Sequence, residues 1–308
     1  MRIAPPEVAD AASPAAGFVP IKNRPPEQSR AAAAQIVSPD ALALVRFGLR
    51  AADDARIVNT VRVIDALLKR ETKTGPVWHR YNEDGYGEHE DGSPFDGSGL
   101  GRGWPLLAGE RAHYELARGN RDAAERLCGV MVAQSSAGSL LPEQIWDGPD
   151  IPERELFNGH PSGSAMPLVW AHAEYLKLVR SLRDGSVFDR PPQPVRRYQI
   201  ERTASPFAIW RFNHKCRRLA AERTLRIEVL ARATVHWSVD EWRTVRDMPT
   251  TDSGLGIHFA DLPTSMLPIG ARVWFTFFWV DANHWEGADY YVSVAETAGN
   301  SGGSAPRP

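Results

Sequence analysis

Two stretches of the chain carry residues whose types and spacing could do chemistry. The first is WHRYNEDGYGEHEDGSPFDGSGLGRGWP (78–105), where Arg80, Glu83, Asp84, Glu88, His89, Glu90, Asp91 and Asp96 stand among glycines and aromatic residues. Carboxylates and an arginine make paired hydrogen bonds to vicinal hydroxyls, and Tyr81, Tyr86 and Trp104 offer flat faces for a sugar ring. A solvated acidic loop, with glycines for flexibility, accounts for the same composition. Calcium fits poorly because the carboxylate spacing departs from the D-x-D-x-D-G pattern. His89 has no second histidine at i+4 with which to share a transition metal. The second stretch is SLLPEQIWDGPD (139–150). Pro142 stiffens the residue before Glu143, and a carboxylate on a stiff loop beside Trp146 can work as a general base. The alternative is that Glu143 faces water while Trp146 packs on a neighbouring helix.

Two other chemistries are weakly supported. HPSGSA (160–165) is not G-x-S-x-G and follows no strand, which argues against a nucleophile elbow. GSGLGRG (97–103) contains G-x-G but likewise follows no strand, so it is a poor phosphate or dinucleotide loop.

The elements that must position these residues read as helices first and strands later. Residues 1–37 are Ala/Pro-rich and expected to be extended or disordered. Helical spacing follows over 38–50, 54–71, 104–119, 120–136 and 160–182, with Ile57, Val61, Ile64, Leu67 and Leu68 on one face of the second. Asn120 is a natural N-cap, Pro105 is tolerated in a first turn, and Pro167 is expected near the first turn of the last helix. The stretch between the second and third helices is too long and Gly-rich for a regular helix. Residues 184–206 are Pro/Arg-rich and read as an extended linker. Beyond it the period changes to two, in FAIWRF, TLRIEVL, ATVHWS, RVWFTFFWV and DYYVSV, which reads as a β-sandwich over 207–296 with a disordered tail at 297–308. Its aromatic residues allow a carbohydrate-binding surface at Trp237, Trp242 or Trp285, though alternation buries every second side chain.

The totals narrow the function classes. The chain has 308 residues, 43% hydrophobic and 24% charged, as a soluble globular protein has. A formal net charge of −2 provides no field for nucleic acid or an anionic membrane. Cys128 and Cys216 are the two cysteines and fall in different halves, which argues against a structural disulfide and a zinc site. No apolar run reaches the roughly 18 residues that span a bilayer. The first residues lack an apolar core and do not read as a secretory signal.

Taken together, RYNEDGYGEHEDGSPFDGSGLGRGWPLLAGERAHYELARG, LLPEQIWD about 60 residues after Arg80, and GSAMPLVWAHAEYLKL resemble bacterial glucoamylase, glycoside hydrolase family 15. The resemblance begins near FVPIKNRPP (18–26) and runs to about 183, fading into the β module. It implies an (α/α)6 toroid of twelve helices that releases glucose from the non-reducing ends of α-glucan oligosaccharides or polysaccharides, with inversion. Inversion uses two carboxyl groups roughly 6.5–9.5 Å apart, one protonating the leaving oxygen and one activating water. By resemblance Glu143 is the general base, in the loop between the last two helices. Arg80 contacts substrate near the scissile bond; Tyr81, Glu83, Asp84 and Glu90 belong to the same loop. Trp104 and Trp146 line the site, and the segment near Trp170 is wall or packing. No metal or organic cofactor is implied.

The departure lies in the first half of the toroid. The family's general acid belongs to a Trp-Glu-Glu type motif that these residues do not contain, and only about five helices precede the linker. The expectation is therefore a mainly α then β chain: a partial (α/α)6 domain over 38–183, linker 184–206 and a β-sandwich. Its partner would be a missing N-terminal half of the same enzyme, without which it is weakly active or inactive. Two other readings stay open: a non-catalytic glycan-binding protein and a degenerate fragment. Within the family, glucodextranase or trehalase activity are alternatives. Family members are often periplasmic or secreted; the compartment of this chain is not readable.

Overall fold

A computed structural model of the chain describes residues 17–296. The expectations for 1–16 and for the 297–308 tail lie outside the described residues. Two compact units divide near residue 203.

The first unit is mainly helical. It opens with a two-stranded hairpin, β1 (Phe18–Pro20) with β2 (Arg30–Ala32), where an extended or disordered segment was expected. Helices α1 (Leu42–Arg46) and α2 (Ala55–Leu68) follow. Asp54 caps α2 by accepting from the Arg56 N–H, and Ile57, Val61, Ile64 and Leu68 form its buried stripe. Leu67, expected on that stripe, is exposed. A hairpin of β3 (Lys69–Thr72) and β4 (Gly75–Trp78) leads into the irregular 79–103 loop.

Helix α3 (Pro105–Ala117) starts on Pro105, whose missing N–H costs nothing in a first turn. It buries Leu106, Leu107, Ala112, Tyr114 and Leu116, with each large apolar side chain contributing about 1.5–3 kcal/mol. Helix α4 (Arg121–Ala133) is capped by Asn120, which accepts from the Ala123 N–H. Helix α5 (Val169–Asp184) ends on left-handed Gly185. Leu106, Leu107, Leu127, Met131, Ala171 and Leu178 meet in one core between α3, α4 and α5. An ionic network ties α1 to α5: Arg46 donates to Glu174 at 2.6 Å and makes a forked pair with Asp189, while His113 on α3 lies 2.8 Å from Glu174.

Helix α5 begins nine residues later than the spacing predicts, since 160–168 is irregular. The cause is long-range pairing. Glu143 N–H donates to Ala165 O, Trp146 N–H to His160 O, and Leu168 N–H to Leu141 O. The backbone of 160–168 is thus committed to the 141–146 loop. The 184–206 segment, expected as extended, holds a helical turn at Pro192–Val195 that continues over Arg196–Ile200.

The second unit is a β-sandwich. Its strands are β5 (Phe207–Trp210), β6 (Arg218–Ala220), β7 (Thr224–Val229), β8 (Ala233–Ser238), β9 (Arg246–Pro249), β10 (Thr251–Asp252), β11 (His258–Leu262), β12 (Arg272–Trp279), β13 (His284–Trp285) and β14 (Tyr290–Ala295). One sheet runs β10-β11-β7-β5; the other runs β6-β14-β12-β8-β9, with β13 pairing back on β12. The pairs β5·β7 and β6·β14 are parallel and the rest antiparallel. Side chains alternate strictly on β7, where Leu225, Ile227 and Val229 are buried. Between the sheets, Trp210 meets Phe275 edge to face at 5.0 Å.

Close backbone packing fixes the shape of the 79–103 loop. A Cβ on Gly85 would lie 1.9 Å from the Asn23 carbonyl oxygen, and one on Gly99 would lie 2.0 Å from that of Gly87. Neither neighbour is a flexible side-chain tip, so a methyl group must displace backbone. Gly85→Ala is expected to lower Tm by about 2–10 °C in a thermal melt, the range of an overpacked site in a domain this size.

Candidate active site

Glu143 sits half-buried on a loop held at both ends, between buried Pro142 and buried Gln144. Its own N–H is fixed by Ala165 O, and Gln144 N–H donates to Ser164 Oγ at 2.9 Å. Its Oε2 accepts from the Tyr86 hydroxyl at 3.1 Å. Burial and the neighbouring Glu143 carboxylate push the Tyr86 phenol above its ordinary value, so Tyr86 is protonated and donates at neutral pH.

Arg80 lies beside this pair. Its guanidinium forks onto Asp84, at 2.7 and 2.8 Å, and stands 5.0 Å from the Tyr86 ring, 4.9 Å from Trp104 and 5.8 Å from Tyr81. Trp104 is reached across a backbone bridge to Trp78, and its indole lies 6.5 Å from Tyr86. The Asp84 side chain is almost wholly buried and also accepts from the Tyr86 N–H, so the turn at 84–86 and the arginine are set by one carboxylate. Tyr81 is half-buried; burial and then Asp84 raise its phenol.

The structure thus brings together Glu143, Arg80, Asp84, Trp104 and Tyr81 from the sequence-predicted set. It does not bring in Glu83 or Glu90, which are exposed; Glu83 lies 3.8 Å from Arg24. Trp146 is fully buried, with its Nε1–H bonded to Pro149 O, so no face of it is open to a ligand. Sequence reasoning named Glu88 in the acidic loop but gave the role to Glu90, and it assigned none to Gln144, Arg102 or His79. Gln144 is fully buried and its Nε2 donates to Tyr86 O at 2.8 Å. Glu88 is 6% exposed. The adjacency of Gln144 to Glu143 was the one local signal available for it. Trp237 is buried in the sandwich, Trp242 is half-buried and Trp285 is 52% exposed.

Beneath the site, Arg102 stacks 3.9 Å over the Trp146 ring and donates to the carbonyls of Glu88 and His89. It also pairs with Asp147, which bonds His79. Burial raises the Asp147 carboxyl, but its interactions with His79 and Arg102 outweigh it and hold the group below the usual carboxylate range. Two clefts flank the loop. One of about 580 Å³ is lined by Tyr86, Glu88, Phe95, Gln144, Arg154 and Ser164 among others. The other, about 310 Å³, holds Tyr81, Asp84, His79, Arg70 and Asp147. Among the described residues no group of three or more His, Cys, Asp or Glu side chains is arranged to hold a metal ion. No described helix is long and apolar enough to cross a membrane.

A glucoamylase from Clostridium sp. (strain G0005) is 43% identical over 164 residues, which is 53% of this chain. That match is longer than the β unit, so it draws on the helical unit. The crystal structure of a bacterial glucoamylase complexed with acarbose superposes with a TM-score of 0.54 and 39% identity over 59% of this chain. The chain is similar to bacterial glucoamylases over these residues. It spans 22% of the length of the Clostridium relative and 25% of the solved glucoamylase. No family model matches it. A helical part followed by a β module is the architecture expected from sequence.

The Asp147 pair offers a direct test of how the site is held. A depressed carboxyl contributes stability above its ordinary titration range, and that contribution is lost as pH falls through the lowered value. Asp147→Asn should therefore cost about 3–5 kcal/mol at pH 7, since it removes the charged partner of buried Arg102, and progressively less as the pH falls below the ordinary carboxylate range. Urea denaturation of both proteins from pH 7 downward checks the shrinking gap.

Proposed function

We propose that this chain carries the general-base side of an inverting, glucoamylase-type active site, with Glu143 as the base. The observation that supports this best is the geometry at Glu143. A half-buried carboxylate on a fixed loop keeps one oxygen tied to a protonated Tyr86, leaving the other to accept a proton from water. Tyr86 orients the carboxylate, and Arg80, anchored by Asp84, supplies donors for sugar hydroxyls beside Tyr81 and the Trp104 wall. Water attacks the anomeric carbon, its proton passes to Glu143, and the glycosidic bond breaks on the opposite face. The ligand is an α-glucan end; α-1,4 linkages are favoured by the likeness to glucoamylase.

The leaving oxygen needs a proton from a second carboxyl. Glu110 on α3 is pushed up to about 7 by burial and by Glu174, but the charged groups that act on it are Glu174, Arg46, Asp40 and Lys177, and Glu143 is not among them. In this reading the acid comes from a segment with the family's Trp-Glu-Glu motif, and helices α2–α5 form part of an (α/α)6 toroid completed by that segment. The exposed apolar residues of α5, Val169 (76%), Trp170 (58%) and Leu176 (67%), supply a surface for it.

The expected outcome is that these 308 residues alone hydrolyse maltose about 10²–10⁴-fold more slowly than a complete enzyme. Adding the segment with the acid should restore release of β-glucose, and Glu143→Gln should abolish the restored activity with little change in sugar binding. Enzyme-like turnover by the chain alone, or full activity in the Gln variant, would sink the proposal.

One patch on the β unit favours a second, additional role in glycan binding. His236 stacks on Trp242 at 5.8 Å and meets exposed Trp285 edge to face at 5.2 Å, while Asp247 fixes the imidazole at 2.6 Å. Glu241 and Trp242 hold left-handed backbone, a strain tolerated where it places a side chain. Trp285→Ala should reduce retention on insoluble starch several-fold without altering the far-UV spectrum; unchanged retention removes this role.

A further inference from the structure

We propose that His172 is a positioning residue for Glu143. Its neutral imidazole accepts the Leu141 N–H through Nε2 and so anchors the N-terminal end of the loop that carries the carboxylate. The proposal rests on the reading of Glu143 given above and adds the side chain that holds the candidate base in place.

The need for such a side chain follows from where α5 begins. Leu141 is buried and stands two residues before Glu143. Its carbonyl accepts from the Leu168 N–H at 2.8 Å, and Leu168 is the N-cap of α5. The loop therefore leans on a helix N-terminus, which presents unpaired N–H donors while its carbonyls point away along the axis. Such a surface suits the Leu141 carbonyl and not the Leu141 N–H. A buried N–H without an acceptor is costly, so a side-chain lone pair has to come from the first turn. His172 supplies it at 2.9 Å.

Helix geometry sets the reach. Side chains on a helix lean toward its N-terminus, so a residue lies over the one four positions earlier. His172 accordingly stands over Leu168, whose carbonyl accepts from the His172 N–H at 3.2 Å. Both partners of Leu141 thus come from a single turn. The bond also fixes the state of the ring: Nε2 accepts only if it carries a lone pair, which places the hydrogen on Nδ1. A ring protonated on both nitrogens would set one N–H against another.

Its place in the chain gives this bond its consequence. Upstream, the turn at 136–140 closes on itself: Ser136 N–H donates to Leu140 O at 2.9 Å, and Leu140 N–H to Ser136 Oγ at 3.2 Å. Residues 137–140 of that turn are exposed. Downstream, Pro142 has no N–H to give, and Glu143 is tied by its own N–H to Ala165 O. Leu141 is therefore where an exposed turn meets the loop of the candidate base. Removing the imidazole takes away one of the two hydrogen bonds that join Leu141 to the start of α5.

The test pairs amide hydrogen exchange with kinetics in His172→Leu, His172→Asn and His172→Gln. In the full chain, exchange at Leu141 should quicken about tenfold or more in the Leu variant, which has no acceptor, and in the Asn variant, whose amide is too short. It should return toward the wild-type rate in the Gln variant, whose Oε1 can stand near the Nε2 position. In the chain combined with the acid-bearing segment, Leu and Asn should lower kcat on maltose about 10- to 100-fold with KM within about twofold, and Gln should restore most of kcat. A general loss of structure would move KM as well and would not be rescued by Gln. If circular dichroism shows the Leu variant to be misfolded, the Asn and Gln variants decide. Unchanged exchange at Leu141 in the Asn variant overturns the proposal. So does faster exchange with unchanged kcat in a mixture that Glu143→Gln inactivates, and that result leaves the Glu143 reading intact. A mixture that Glu143→Gln leaves fully active, or one without activity in the wild type, overturns both.

Discussion

The site depends on one buried cation. Arg102 lies flat on the fully buried Trp146 ring and spends its donors on two carbonyls of the 79–103 loop and on Asp147 of the 139–150 loop. A guanidinium suits this post because its planar fork can stack and donate in several directions while staying charged. Its desolvation is met by Asp147, itself steadied by His79. Two loops that share no strand ladder are thereby locked in one register. Short backbone bridges, Gly103 to Ile145 and Ile145 to Pro161, complete the clamp.

From that clamp the arrangement of the upper face follows. With Gly103 and Ile145 paired, Trp104 is directed toward Arg80, and Glu143 is placed two residues before the bridge, within reach of Tyr86. Asp84 then decides where Arg80 points, because its two oxygens are filled by the guanidinium and the 86 N–H. The helices serve as a base plate: α3, α4 and α5 share an apolar core, and their ends carry the loops. Rigidity here comes from polar pairs in the loops and apolar packing below them, a division suited to holding the Glu143 side chain in one position.

Much of the helical unit was legible because its helices announce themselves locally. Asp54 and Asn120 are capping residues, Pro105 opens a helix, and the apolar stripe of α2 repeats at helical spacing. The start of α5 was not legible, since what unwinds 160–168 is pairing with residues some 20 positions earlier. The choice between Glu88 and Glu90 shows the limit most clearly. Two residues apart in an acidic run, they have the same chemistry. The tight turn at His89–Ser93 leaves Glu90 in solvent, while Arg102 draws the Glu88 backbone inward. Composition cannot rank them; only the distant arginine does. Trp146 misled for the opposite reason. An indole in a polar loop suggests stacking on a ligand, and it does stack, but on Arg102 from within. In the β unit alternation places Trp237 inside, as period two requires, whereas Trp285 escapes onto the short β13.

The loop around Arg80 is shaped as much by missing side chains as by present ones. Gly85 and Gly99 touch backbone carbonyls directly, so those positions have almost no freedom to vary. Exposed Glu83 and Glu90 have nearly all of it. Variation in such a loop is channelled to its acidic rim, where it can retune what approaches without moving Glu143. Rim and candidate base are in that sense mechanically uncoupled, and one scaffold of this kind can change its rim while keeping Glu143 in place.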